Sequence, residues 1–227
     1  MLYISTTDGA NTPPMKALIF DTETTGKADF KADPIAPQQP KLVQLGALLI
    51  DLTNGRELGS CDLIVYPSSW EIPQEVALIH GVTQQIAEEA GLDLDHVVNV
   101  FNGLVAAADL VVCHNTAFDT IIMRRAQAMV DLALKRNDIG DPFEGKPIVC
   151  TMKASTQIVK KRSKRPLHNE DYKWPKLAEC MKFFFDEELE GAHNAIVDCR
   201  ATSRVLLELV NRGAIALPSQ LPAAEAA

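Results

Sequence analysis

The segment Ala17–Glu23 constrains this chain more than any other. It reads Ala-Leu-Ile-Phe-Asp-Thr-Glu, opening on four apolar side chains in succession. Successive side chains of an extended strand point to opposite faces. Ala17 and Ile19 therefore share one face, and Leu18 and Phe20 share the other. A strand that is apolar on both faces belongs at the centre of a sheet covered on both sides. Asp21 and Glu23 continue the face of Ala17 and Ile19. Two like charges are thus set side by side at the end of a buried strand, where they repel and desolvation adds to the cost. A turn opening at Asp21-Thr22 would account for Asp21 alone, but it leaves the pair unexplained.

The rest of the chain supplies partners for such a strand. Leu42–Asp51 and Cys61–Tyr66 read as strands joined through Asn54-Gly55, a hairpin signal. Ala108–Cys113 and Ile148–Cys150 read as further strands. Helices are expected at Pro73–Ile79, Asp95–Ala107, Thr116–Leu134, Pro175–Phe185 and Ala195–Asn211. Gly26–Pro40 is a loop with three prolines. Residues 151–173 carry no assignable period. At 227 residues and 47% hydrophobic the chain suits one sizeable core. A hairpin followed by alternating helices and strands predicts one mixed-sheet α/β domain over residues 16–212. Residues 1–15 read as a flexible N-terminal arm and residues 213–227 as a C-terminal tail.

Two helices repeat the anomaly of the strand. Asp119, Ile122, Ala126 and Met129 fall on one helical stripe, as do Asp198, Ala201, Val205 and Leu209. Each stripe should face the core, and each is headed by an acid. Taken singly, either acid is equally well read as a first-turn carboxylate favouring its helix dipole. Together with Asp21 and Glu23 they make a set of oxygen ligands without a thiolate, which suits Mg²⁺ or Mn²⁺. His193 lies five residues before Asp198. That spacing does not share a helical face, so the two converge only if His193 sits in the loop just outside the helix.

The formal net charge is −8, which by itself argues against a polyanionic partner. Lys153, Lys160, Lys161, Arg162, Lys164 and Arg165 nevertheless concentrate positive charge in a stretch without an acid. Five cysteines, far apart and without a C-x-x-C pair, indicate neither a disulfide framework nor a structural zinc site. With no secretory signal and no transmembrane run, a reducing, cytoplasmic setting and no membrane association are expected.

Three segments together resemble a known family. Ile19-Phe20-Asp21-Thr22-Glu23-Thr24-Thr25-Gly26 resembles the first motif of the DEDD superfamily of 3′→5′ exonucleases. His114-Asn115-Thr116-Ala117-Phe118-Asp119 is similar to the second. His193-Asn194-Ala195-Ile196-Val197-Asp198 is similar to the third in the DEDDh branch, which includes the proofreading epsilon subunit of bacterial DNA polymerase III and ribonuclease T. Ile79-His80-Gly81-Val82-Thr83, Cys150-Thr151-Met152 and Lys176-Leu177-Ala178 also resemble family segments. The resemblance spans roughly residues 16–210 and implies a ribonuclease H-like mixed β-sheet flanked by α-helices. It implies that Asp21, Glu23 and Asp198 hold two Mg²⁺ or Mn²⁺ ions, with Asp119 supporting one through water and His193 as general base. By the same resemblance Thr24, Glu75, Ile79, His80, Asn115 and Phe118 line a pocket for the terminal nucleotide.

The expected activity is removal of nucleoside 5′-monophosphates from the 3′ end of single-stranded or frayed DNA, with a DNA polymerase as a partner in proofreading. RNA trimming, or a silent nucleic-acid-binding or scaffolding module, are the competing readings. The chain departs from the family over residues 153–174, longer and more basic than the pattern. Lys160, Lys161, Arg162, Lys164 and Arg165 there are candidate contacts to a phosphate backbone.

Overall fold

A computed structural model describes residues 15–33, 35–167 and 170–216, with the backbone alone at 163–167, 170 and 171. The apolar segment forms β1 (Lys16–Thr24), the middle strand of a five-stranded sheet of order β3-β2-β1-β4-β5. Its neighbours are β2 (Leu42–Asp51), antiparallel, and β4 (Leu110–Cys113), parallel. The outer strands are β3 (Arg56–Ile64), antiparallel to β2, and β5 (Ile148–Cys150), parallel to β4. The expected hairpin joins β2 to β3, with Gly55 at φ 72°, where a side chain would be strained. β3 starts five residues before the predicted Cys61. Its first half, Arg56 to Ser60, is mostly exposed and shows no apolar alternation to read.

Helices cover both faces, as the apolar pattern of β1 requires. Leu18 and Phe20 pack under α3 (Leu94–Ala107) and α4 (Thr116–Ala133), where Phe20, Phe101 and Phe143 bring their ring centroids within 5.0 to 5.8 Å. Ala17 and Ile19 pack under α5 (Thr151–Val159), α6 (Leu177–Phe185) and α7 (Ala195–Asn211). This is the ribonuclease H-like α/β architecture. Two short helices, α1 (Gln74–His80) and α2 (Gln84–Ala90), follow β3. α2 was not expected. It buries only Ala87, so it leaves no period in the sequence, and it is started by the Thr83 side chain accepting a hydrogen bond from the Ile86 amide.

The unassigned stretch resolves into two parts. α5 packs into the core on a face of Thr151, Met152, Ser155 and Thr156. Ser155 and Thr156 donate their hydroxyls to the carbonyls of Thr151 and Met152, at 2.7 and 3.0 Å, so they bury as apolar groups would. A polar-looking sequence thereby hides a core helix. Beyond it, β6 (Arg162–Leu167) and β7 (Glu170–Tyr172) form a separate two-stranded ribbon.

One close approach fixes the layer above β1. A Cβ on Gly46, the cross-strand partner of Asp21, would collide with the backbone of Ala195. The absence of a side chain lets the first turn of α7 rest directly on the sheet. At the chain ends, the Met15 carbonyl accepts from the Leu52 amide, and Ile215 is buried against the α7 cluster. Met15 and Ile215 belong to the expected arm (1–15) and tail (213–227), of which 1–14 and 217–227 lie outside the described residues. Among the described residues, no helix is long and apolar enough to cross a membrane.

Candidate active site

The carboxyl end of β1 carries Asp21 and Glu23 on the α7 face. α7 begins with Asn194, whose side chain accepts from the Val197 amide, so that Asp198 falls in the first helical turn. The Ala195 amide lies 3.5 Å from Gln44 Oε1 on β2, a second tie between this turn and the sheet. Before the helix the chain turns through Gly191 and His193, both at positive φ (69° and 67°). This turn supplies the convergence that residue spacing left open. The His193 amide donates to Asp198 Oδ2 at 3.0 Å. Ligand atoms of Glu23, His193 and Asp198 lie within 4.8 Å of one another.

Asp119 arrives from the other layer. It sits in the first turn of α4, and its Oδ1 accepts from the Thr22 amide (3.1 Å) and the Thr22 hydroxyl (2.8 Å). The residue between Asp21 and Glu23 thus tethers the third acid to the strand.

The cluster is electrostatically frustrated when it holds no cation. Burial first, then Asp119, Asp198 and Glu23, push the Asp21 carboxyl well above the usual range. Glu23 is pushed to about 8 by burial, then by Asp198 and Asp119. Asp119 is raised to about 7 by burial, against the opposing hydrogen bonds from Thr22. Asp198 is raised by burial, against the His193 amide. Asp198 Oδ1 is buried with no hydrogen-bond partner among the described residues. An orphaned carboxylate oxygen beside three further acids and an imidazole fits hard divalent cations.

These groups line one cavity of about 440 Å³, within the range of small-ligand sites. Asn115 and Phe118 line it too. Asn115 is held at φ 95°, and its side chain is not used to cap α4. Thr24, Glu75, Ile79 and His80 are not part of that lining. Thr24 is buried with its hydroxyl on the Gly26 carbonyl, and Glu75 and Ile79 are exposed on α1. His80 is buried beside His193 and the Thr24 backbone; burial, then His193, lower its pKa.

Two groups in the wall were not anticipated as site residues. His114 is partly buried, and its desolvation lowers its pKa to about 4, against the Pro175 carbonyl. Its Nε2 lies 3.0 Å from that carbonyl and its Nδ1 3.0 Å from the Thr151 hydroxyl. A neutral ring must then donate from Nε2 and accept at Nδ1. His114 appeared in the sequence only as the first residue of a motif. Trp174, 54% exposed, lines the same cavity and belongs to no motif.

The candidate phosphate contacts lie to one side of this cavity. Lys160 caps α5 in a left-handed conformation and is exposed, as is Arg162. Lys161 is not free: with Lys173 it grips Glu179, at 3.0 and 2.9 Å, and that carboxyl is held down at about 2. The acid that answers the basic run lies on α6, outside the run itself. The side chains of Lys164 and Arg165 lie outside the described ones.

A second cavity, of about 70 Å³, is lined by none of the clustered acids and is too small for a nucleotide.

Comparison with known proteins agrees with this geometry. The family model described as RNase_T, exonuclease, matches residues 18–206. The chain belongs to this exonuclease family, as its DEDD-type motifs implied. Exonuclease I of E. coli in complex with a dT13 oligonucleotide aligns with a TM-score of 0.64 at 18% identity, over 87% of this chain and 41% of that one. Its zinc-bound complex with single-stranded DNA aligns at 0.64 and 18%, over 88% and 41%. Exonuclease I from Methylocaldum szegediense gives 0.63 and 23%, over 87% and 40%. At such identities the likeness is one of fold, and the chain spans about two fifths of those structures, 40 to 41% of their length. A search of curated proteins finds no match.

Proposed function

We propose that this chain is a two-metal 3′→5′ exonuclease acting on single-stranded or frayed DNA ends and releasing nucleoside 5′-monophosphates. The observation that carries the reading is the set of Asp21, Glu23, Asp119 and Asp198, with His193, at the end of β1 in a cavity of nucleotide size. Asp21, Glu23 and Asp198 would hold two Mg²⁺ or Mn²⁺ ions, with Asp119 in support. Bound divalent ions supply neutralisation of the phosphate oxygens and a water of lowered pKa. His193, exposed beside Glu23 and Asp198, would accept the proton of the attacking water. Phe118 offers a π-face that stacks on any base, which suits an enzyme indifferent to sequence. Asn115, and Thr24, Glu75, Ile79 and His80 beyond the cavity lining, would contact the terminal nucleotide.

DNA is favoured because the E. coli structures of this fold are described with DNA oligonucleotides. Purified protein with Mg²⁺ and 5′-labelled DNA and RNA, single- and double-stranded, tests the reading. A ladder shortening from the 3′ end of DNA supports it; a ladder from RNA alone replaces the substrate; no cleavage removes the activity. Proofreading beside a DNA polymerase is the setting that the resemblance to the epsilon subunit supports, and co-purification with a polymerase subunit tests it.

Proton and metal binding should compete. The folded pKa values of Glu23 and Asp119 stand above their ordinary values, so the folded chain binds these protons more tightly than the unfolded chain. Their contribution to metal-free stability is complete below about pH 4 and is lost as the pH rises through 7 to 8. Bound cations replace those protons. The rise in melting temperature on adding Mn²⁺ should therefore be larger at pH 8 than at pH 6. An equal or smaller rise at pH 8 contradicts the ligand assignment.

The basic run would contact the phosphate backbone of the entering strand. Neutralising Lys160, Arg162, Lys164 and Arg165, while sparing Lys161 for Glu179, should weaken binding of long single strands. It should also flatten the salt dependence by roughly 0.7 in log–log slope for each phosphate left without its cation. An unchanged slope would assign the ribbon to a different partner.

A further inference from the structure

Trp174 is mounted in an unusual way. The backbone on both sides of it is fixed. The Lys173 amide donates to the Lys161 carbonyl at 2.9 Å, and the Lys173 ammonium is held by Glu179. The Pro175 carbonyl is held by His114, and the Lys176 amide donates to Glu179 Oε2 at 3.0 Å. Pro175 is buried. Between these anchors the indole is left 54% exposed, in the wall of the catalytic cavity. A large aromatic group on a rigid mount and half in water forgoes the stabilisation of full burial. It also follows the end of β7 by only two residues, so the ribbon runs directly into this part of the cavity wall.

We infer that Trp174 is a second stacking platform of the site, receiving an unpaired base of the strand other than the one on Phe118. This inference rests on the exonuclease reading and deepens it. A base inside a duplex has both faces covered by its neighbours and cannot lie on such a ring, so the platform favours single-stranded or frayed ends. The anchors bear on its strength. Because Lys173, Pro175 and Lys176 are already fixed, little backbone freedom is lost when a base settles on the ring.

The test uses the full chain and its Trp174→Ala and Trp174→Phe variants. Two substrates are compared: a 5′-labelled oligothymidylate, and the p-nitrophenyl ester of thymidine 5′-monophosphate, which has a single base. Removing one stacking platform should raise KM for the oligonucleotide by about 5- to 150-fold in Trp174→Ala, with kcat little changed. Trp174→Phe should recover most of the loss. KM for the ester should stay as it is, and its hydrolysis also certifies the fold. Unchanged KM for the oligonucleotide, or equal losses on both substrates, would overturn the assignment while leaving the exonuclease reading intact. Should no preparation cleave either substrate, the exonuclease reading fails separately. Tryptophan fluorescence then decides the platform, with oligothymidylate added in Ca²⁺. Quenching in the parent that is absent from Trp174→Ala supports it, and identical traces in the two overturn it.

Discussion

Asp21→Asn is expected to lower turnover by roughly 10³-fold or more while raising the stability of the metal-free protein. Both effects come from one place. Asp21 pairs with Gly46 in the centre of the sheet, close enough to Asp119, Asp198 and Glu23 for each to raise its pKa. Its carboxyl binds a proton more tightly folded than unfolded, so its stabilising contribution is present at low pH and lost on raising the pH. The amide has the same shape and no charge to repel its neighbours. Thermal melts in EDTA at pH 8 should therefore place the variant above the parent, and Mn²⁺ should stabilise it less. Parental turnover in Asp21→Asn would remove the residue from the site. A metal-free melting point below the parent would contradict the repulsion assigned to Asp21 and its neighbours.

His193→Gly should slow the reaction by about 10²- to 10⁴-fold with the carboxylate cluster undisturbed. The reason lies in the division of labour within this residue. Its backbone amide, not its ring, holds Asp198 Oδ2. Its φ of 67° is a conformation glycine adopts without strain. The substitution removes the imidazole and leaves the tether. Added imidazole should restore part of the rate if the ring moves a proton. A variant that regains full rate once Mn²⁺ is raised to saturation would make the ring a ligand, consistent with its closeness to Glu23 and Asp198.

The acids were legible because each violates a pattern. Asp21 and Glu23 close an apolar strand, and Asp119 and Asp198 head apolar stripes, so their position on the core side was visible without a structure. Physical contradictions of this kind survive in sequence. What joins them does not. The bond from Thr22 to Asp119 spans two layers, and the turn that returns His193 to Asp198 depends on backbone angles that His and Gly191 do not announce. α5 was unreadable for the opposite reason: its buried face is built of hydroxyls satisfied by its own carbonyls. The basic run looked free of acids because its partner, Glu179, lies eighteen positions beyond Lys161. Trp174 follows no period at all. Thr24, Glu75, Ile79 and His80 entered by resemblance alone, and none of them is in the cavity's lining.

The seat of α7 on Gly46 has a consequence for the chain as it is made. Asp198 and His193 belong to the last helix of the domain and the turn before it, whereas Asp21 and Glu23 lie in its first strand. As the ribosome extends the chain, the sheet and both helices of the α3–α4 layer emerge before α7 does. Until that helix lands on the bare backbone of β2, one acid and the imidazole are missing and the cavity has no floor on that side. A nascent chain that has not yet seated α7 therefore lacks a complete candidate site, whatever the rest of it has folded.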